Sequence, residues 1–296
     1  PDPSTLREHW NMTQLGQLMQ DPSMQPFVED IRRQFKERLT RIDEKLGLTL
    51  EDLQEVAGGE LSVGLIQPGK DKLALAFLVD VSERQEQAVA LLKKLDQRLT
   101  QRKAEKRTRE IGGTTVAIYK LPKRARDVDN PEAAFFIHDE ILCGSDNVDV
   151  TDAILRRFSG DAKDSLAQHP AYRTVMDRCK QDAGQLEPDL RWYVDPFGCL
   201  DAIRAARPPQ KREKGKDMVK ILASQGFSAI QALGGHVSFF VDDRYELMHR
   251  TLVYAPPVKG KEPQTGGAKF ELAARMLDFP NGGSLAPDAW IPSELA

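Results

Sequence analysis

The chain lacks the features that usually announce a function. Its three cysteines, Cys143, Cys179 and Cys199, are an odd number without the spacing of a zinc or redox motif. Aromatic residues make up 7% of the chain and do not interleave with the basic runs at Gln101–Arg109, Lys120–Arg126 and Lys211–Lys216, where acidic residues intervene. These runs read as solvated helix ends and loops, so no nucleic-acid partner is expected. A formal net charge of -3 is too small to imply a polyanionic partner or an acidic tail. No stretch approaches the roughly 18–20 apolar residues that cross a bilayer, and no basic start leading into an apolar run marks a signal peptide. The chain opens on Pro1 without a methionine, so a processed or excised piece of a longer protein is expected. There is no G-x-S-x-G elbow, phosphate-binding Gly-Lys loop or H-E-x-x-H pair, and the sequence nominates no catalytic residue and no cofactor.

What is present is the patterning of a soluble globular protein, with 40% hydrophobic and 29% charged residues over 296 positions, enough for one large or two ordinary domains. The stretch Glu60–Val81 carries the plainest instruction. Two apolar runs flank the turn cluster Gln67-Pro68-Gly69-Lys70-Asp71, which predicts a β-hairpin. Leu61, Val63 and Leu65 fall on one face of its first strand, and Leu73, Leu75, Phe77 and Val79 on one face of its second. The small residues Gly64, Ala74 and Ala76 on the opposite face leave room for a helix, which predicts a hairpin covered on both faces in the middle of a sheet.

Helices are expected on both sides of it. Phe27, Ile31, Phe35, Leu39 and Ile42 recur at spacings of three and four and read as the buried stripe of a helix ending at Gly47. Leu50–Val56 reads as a short helical turn. Ser82 and Gln85 have the spacing of a capping box, followed by the apolar face Ala88, Leu91, Leu92, Leu95 and Leu99. That helix is expected to run out in the charged residues 101–106. Thr108–Leu121 should turn at Gly112-Gly113, and Ala133–Gly144 at His138-Asp139-Glu140, with a helix from Val148 to Phe158. Further helices are expected over Ser165–Lys180, Phe197–Ala206, from Asp217 and over Lys269–Leu277. Strands are expected at Leu190–Val194, Phe227–Val241 and Tyr245–Tyr254.

An internal match organises these elements. Leu53–Ser62 aligns with Ile230–Ser238 with one residue deleted, each copy entering a hairpin, and Asp2-Pro3 opens the first helical stretch as Asp195-Pro196 opens the second. The chain is therefore expected to be an α+β protein of antiparallel sheets and amphipathic helices, with related units at 1–184 and 185–296. The first strand of unit one would lie upstream of Pro1, and unit two would be incomplete. The glycine pairs Gly58-Gly59 and Gly234-Gly235 read as structural, for positive φ or for close packing.

One histidine pair bears on metal or proton chemistry. With a two-residue loop at Asp242-Asp243, His236 and His249 face each other; with a three-residue loop His249 moves opposite Val237. His9, His138 and His169 lie in separate elements. Cys143-Gly144-Ser145 ends a strand with no histidine placed beside it, so a structural cysteine is expected.

The succession of hairpin, helix and strands, then Asp139-Glu140-Ile141-Leu142-Cys143-Gly144-Ser145 before a helix, Ser165-Leu166-Ala167 with Tyr172, and Trp192-Tyr193-Val194-Asp195, resembles the uncharacterised exported proteins of planctomycete-type bacteria. It also resembles the related bacterial domain of unknown function with the same order of a Gly-Ser strand end, a helix, an SLA segment and a YVD strand. The resemblance covers most of the chain, and it implies an exported, periplasmic or cell-envelope location but no activity. In such proteins a further unit often begins near a segment like Trp290-Ile291-Pro292. In an exported protein Cys179 and Cys199 are the most local pair for a disulfide, which would stabilise the fold by about 3 kcal/mol. The reading that follows is a non-catalytic interaction or scaffold module of the cell envelope with a protein partner. The alternative is a carrier of an apolar small molecule or lipid, with a hydrolase third.

Overall fold

The computed structural model describes residues 1–69, 72–123, 131–158, 160, 165–205, 229–240 and 245–256, without the side chains of 35–45 and 204–205. Eight helices and nine strands are formed among these residues: α1 (Pro3–Met12), α2 (Gln14–Leu18), α3 (Gln25–Leu46), α4 (Leu50–Val56), β1 (Leu61–Ile66), β2 (Ala74–Asp80), α5 (Gln85–Gln101), β3 (Glu105–Ile111), β4 (Thr114–Lys120), β5 (Glu132–His138), β6 (Ile141–Ser145), α6 (Val148–Phe158), α7 (Pro170–Ala183), β7 (Leu190–Val194), α8 (Pro196–Ala205), β8 (Ala232–Phe239) and β9 (Leu247–Tyr254). Short 3-10 turns at Pro22–Met24 and Leu166–Gln168 precede α3 and α7. The expected helix from Asp217, the one over Lys269–Leu277 and the Trp290-Ile291-Pro292 segment lie outside the described residues.

The strands form two antiparallel sheets, one of six strands in the order β1-β2-β6-β5-β4-β3 and one of three in the order β7-β8-β9, so the protein is of the α+β class. The hairpin predicted at 60–81 forms with Leu61 opposite Val79, Val63 opposite Phe77 and Leu65 opposite Leu75. Its position corrects the expectation. Only β2 is interior, paired with both β1 and β6, while β1 is the edge strand. Both faces of β2 are nevertheless covered. Leu75, Phe77 and Val79 join Leu91, Leu95 and Leu99 of α5 and Leu53 and Val56 of α4, whereas Ala74 and Ala76 meet Val150 of α6. Alanine at those two positions is what lets α6 lie close to the sheet. Gly144 does the same between two rings, since a Cβ there would lie 2.4 Å from Phe77 and 2.7 Å from Phe135.

The two-residue loops at Gly112-Gly113 and Asp139-Glu140 all have positive φ, of 55°, 79°, 43° and 64°, the geometry that matches strand twist in a tight hairpin. The expected capping box at Ser82 is not made. The Ser82 N–H donates to Asp80 Oδ1 at 2.9 Å, α5 starts at Gln85 without a side-chain cap, and Gln85 Nε2 donates to Glu140 Oε1 at 3.2 Å. A capping box does form at α4, between Thr49 and Asp52. The expected hairpin at Gly112-Gly113 forms, but its first strand starts earlier than expected: Glu105 and Lys106, read with the end of the helix, already belong to the edge strand β3, which pairs along its length with β4.

In the smaller sheet α7 covers one face with Ala171, Val175 and Cys179 against Ala232, Leu252 and Tyr254. On the other face Trp10 of α1 meets Phe239 edge-on, with ring centroids 5.3 Å apart. β7, the strand before Asp195-Pro196, pairs antiparallel with β8. The two glycine pairs both enter hairpins but sit at different registers: Gly234 and Gly235 are inside the β8 ladder, and Gly58 and Gly59 precede β1.

Candidate functional site

The register of the second hairpin disposes of the histidine pair. Val237 lies opposite His249 and His236 opposite Arg250, with Phe239 opposite Leu247, as the longer loop requires. Side chains alternate across a strand, so His236 points to α7 and His249 to the other face, and the two cannot share a metal or a proton. His236 is buried, with Nε2 3.3 Å from Met176 Sδ and Nδ1 without a partner. Burial, and then the charges of Arg191 and Arg250, lower its pKa from the ordinary histidine value. His249 is exposed, 3.1 Å from Thr251 Oγ1 through Nε2, with its ring centroid 6.3 Å from that of Trp192. Asp242 and Asp243 lie outside the described residues. Among the described residues no three His, Cys, Asp or Glu side chains come together to hold a metal.

The glycine pairs serve close approach and not positive φ. A Cβ on Gly234 would lie 2.7 Å from Val175 of α7, and one on Gly235 2.0 Å from the Arg250 carbonyl oxygen. A Cβ on Gly58 would lie 3.2 Å from the Glu83 backbone nitrogen, and one on Gly59 2.6 Å from the Asp80 carboxylate. The possible disulfide is not formed in this structure, where Cys179 and Cys199 are free thiols. Cys179 is used as a small apolar side chain between α7 and β8, while Cys199 lies on α8. Cys143 is buried, and burial pushes its thiol up to about 12, which leaves no thiolate for nucleophilic chemistry at neutral pH.

The fold also assembles polar clusters that spacing did not disclose. His9 of α1 reaches across 180 positions to Asp189, with Nδ1 to Oδ1 2.7 Å, and Oδ2 of the same carboxylate accepts the Phe239 N–H at 2.7 Å. Among the described residues no hydroxyl or thiol bonds the other imidazole nitrogen, so these residues supply the pair with a base and its orienting group but with no nucleophile. Asp52 is buried and accepts from Arg98 Nη1 at 2.6 Å and Lys94 Nζ at 3.0 Å, joining α4 to α5. Desolvation opposes ionisation there, but the bonds from Arg98, Thr49 and Lys94 outweigh it and hold this carboxyl below the usual range. The His138 pairing with Thr114, Nδ1 to Oγ1 2.7 Å, closes the end of the β4–β5 ladder.

An open groove of about 750 Å³ lies between α5 and strands β3 to β5, with Ala117, Phe135 and Ile137 as floor and Lys93, Asp96 and Lys106 along the rim. Tyr119 Oη donates to Asp96 Oδ1 at 2.7 Å, and Lys106 Nζ lies 2.8 Å from the same oxygen. Burial, and then Asp96, push the Tyr119 hydroxyl above its ordinary range. The groove has an apolar floor, and two of its rim charges, Asp96 and Lys106, are paired with each other.

The larger departure from a buried core is on the N-terminal helices. Phe27 and Ile31, four residues apart on one face of α3 and expected to be buried, are 51% and 39% exposed. Met12 of α1 and Leu15 and Leu18 of α2 are exposed as well. Phe35, Leu39 and Ile42, the rest of the predicted stripe, lie outside the described side chains. Fold and surfaces together define an α+β protein of two helix-covered antiparallel sheets with apolar side chains left outside its cores. Comparison of the chain with family models, curated proteins and solved structures finds no match.

Proposed function

We propose that this protein is a non-catalytic interaction or scaffold module that works through the apolar faces of its N-terminal helices. The observation that supports the reading is the contrast between core and surface. Nineteen buried residues form the main core, Leu95, Leu99, Val79 and Leu142 among them, each fully enclosed. Phe27, Ile31, Leu15, Leu18 and Met12 stand in water on three consecutive helices. Apolar side chains recurring on one helix face are what a partner's groove or helix takes up. The cell-envelope setting is part of the proposal and rests on the sequence resemblance.

The test is site-specific photo-crosslinking from position 27 or 31 of α3, with Arg32 as a control on the same helix. The expected result is a discrete crosslinked product from 27 and 31 and none from 32. Equal or absent crosslinking at all three positions overturns the reading.

The groove beneath α5 favours a second reading, a carrier for an apolar molecule, because Phe135 and Ile137 line its floor. A native mass spectrum of the protein purified without denaturant decides it. Extra mass lost on denaturation supports a carrier, and a bare chain removes that reading.

A further inference from the structure

We infer that the open edge of β1 is a strand-acceptor site, and that its occupant is an extended segment of a partner polypeptide, paired antiparallel and carrying apolar residues at alternate positions. The Asp80 N–H donates to the Glu60 carbonyl at 2.9 Å, which places residue 60, and by alternation Ser62, Gly64 and Ile66, in bonds to β2. Leu61, Val63 and Leu65 therefore turn their N–H and C=O groups to the outside, where no strand among the described residues pairs with them. The first outward donor shows what the edge accepts: the Leu61 N–H donates to the Pro1 carbonyl at 2.6 Å, a bond from β1 to a backbone outside the sheet.

Two comparisons within the molecule support that occupant. The opposite edge of the same sheet, β3, is protected as edges usually are, by Glu105, Lys106, Arg107, Arg109 and Glu110. β1 has no charge between Leu61 and Ile66, and Val63 and Leu65 are 57% and 62% exposed. The smaller sheet shows the pairing completed. There the first strand of the hairpin, β8, receives the extended strand β7, whose Leu190, Trp192 and Val194 alternate along one face. β7 also lies close by, with Arg191 Nη2 3.9 Å from Glu60 Oε2 at the head of β1. Backbone bonds along the edge would supply affinity, and apolar side chains beside Val63 and Leu65 the specificity. This surface is separate from the helical patch, so either reading can fail without the other.

The test is amide hydrogen exchange of the intact protein with and without a synthetic peptide of the β7 sequence Leu190–Asp195. The peptide is expected to slow exchange at Val63 and Leu65 by about tenfold or more, leaving the inward amides of Ser62 and Gly64 unchanged. Val63→Pro removes one outward donor without touching the ladder to β2, and Val63→Lys places a charge on the edge; each is expected to abolish the effect while the unfolding midpoint stays near wild type. Free exchange at Val63 and Leu65 at millimolar peptide overturns the proposal. So does protection of both amides in the isolated monomer, which would mean the chain fills its own edge. Protection that appears with protein concentration alone overturns the partner in favour of a second copy.

Discussion

His236 sits where burial and hydrogen bonding conflict. Its ring lies under α7 with Nδ1 unpartnered and only a thioether beside Nε2, and Arg191 and Arg250 add positive charge nearby. All three disfavour the imidazolium, and Glu187 offsets them only in part, so the folded pKa is lowered. The sign follows from linkage. The unfolded chain takes up a proton below about pH 6.5 while the folded chain resists it, so this contribution to stability is present above about pH 6.5 and declines as pH falls through that value. The loss is at most about 1.4 kcal/mol per pH unit for one group. Urea unfolding of wild type and His236→Gln at pH 7.5 and 5.5 checks it. The expected outcome is that the wild type loses more stability than the variant between the two values, and an equal loss removes the argument. Sequence could identify this histidine but not its setting, because a one-residue change of register decides which face it occupies.

The same limit applies to elements. Apolar spacing revealed α5, whose side chains repeat at the period a helix imposes, and turn residues revealed both tight hairpins. Sequence pattern misplaced the start of β3, reading Glu105 and Lys106 with the end of the helix; the strand EKRTREI has one apolar residue, and the ladder to β4 is what fixes its extent. Pattern also failed at the caps, where a three-residue spacing does not say which turn the backbone will make. Ser82 and Gln85 have the pattern without the bonds, whereas the Thr49 hydroxyl accepts the Asp52 N–H at 3.1 Å and Asp52 Oδ2 accepts the Thr49 N–H at 3.0 Å. Thr49→Ala should therefore cost about 1 kcal/mol, as loss of a side-chain N-cap does. Ser82→Ala should stay within about 0.5 kcal/mol, as for a surface site without such a role. Denaturant midpoints of the two variants give the comparison, and similar losses would mean that the α4 box contributes nothing.

At the scale of the molecule, what the sequence could not show is closure over distance: β6 inserted between β2 and β5, β1 left at an edge, and α1 tied to a sheet almost two hundred residues away. That tie passes through one carboxylate. Asp189 accepts the Phe239 N–H at the end of β8 and lies 2.7 Å from His9 Nδ1, while Trp10 packs on the Phe239 ring. The six-stranded sheet has its own core under α4 and α5, and none of these three contacts belongs to it. Asp189→Ala removes the acceptor of a part-buried N–H, at a cost of about 1–3 kcal/mol. Because α1 and the end of β8 meet at that carboxylate, the loss should appear there first. Native-state hydrogen exchange of the variant is expected to show faster exchange in β8 and α1 with β2 and β6 unchanged. If β2 and β6 lose as much protection as β8, the two sheets unfold as one cooperative body, and the division into units at 184/185 describes the sequence and not the energetics.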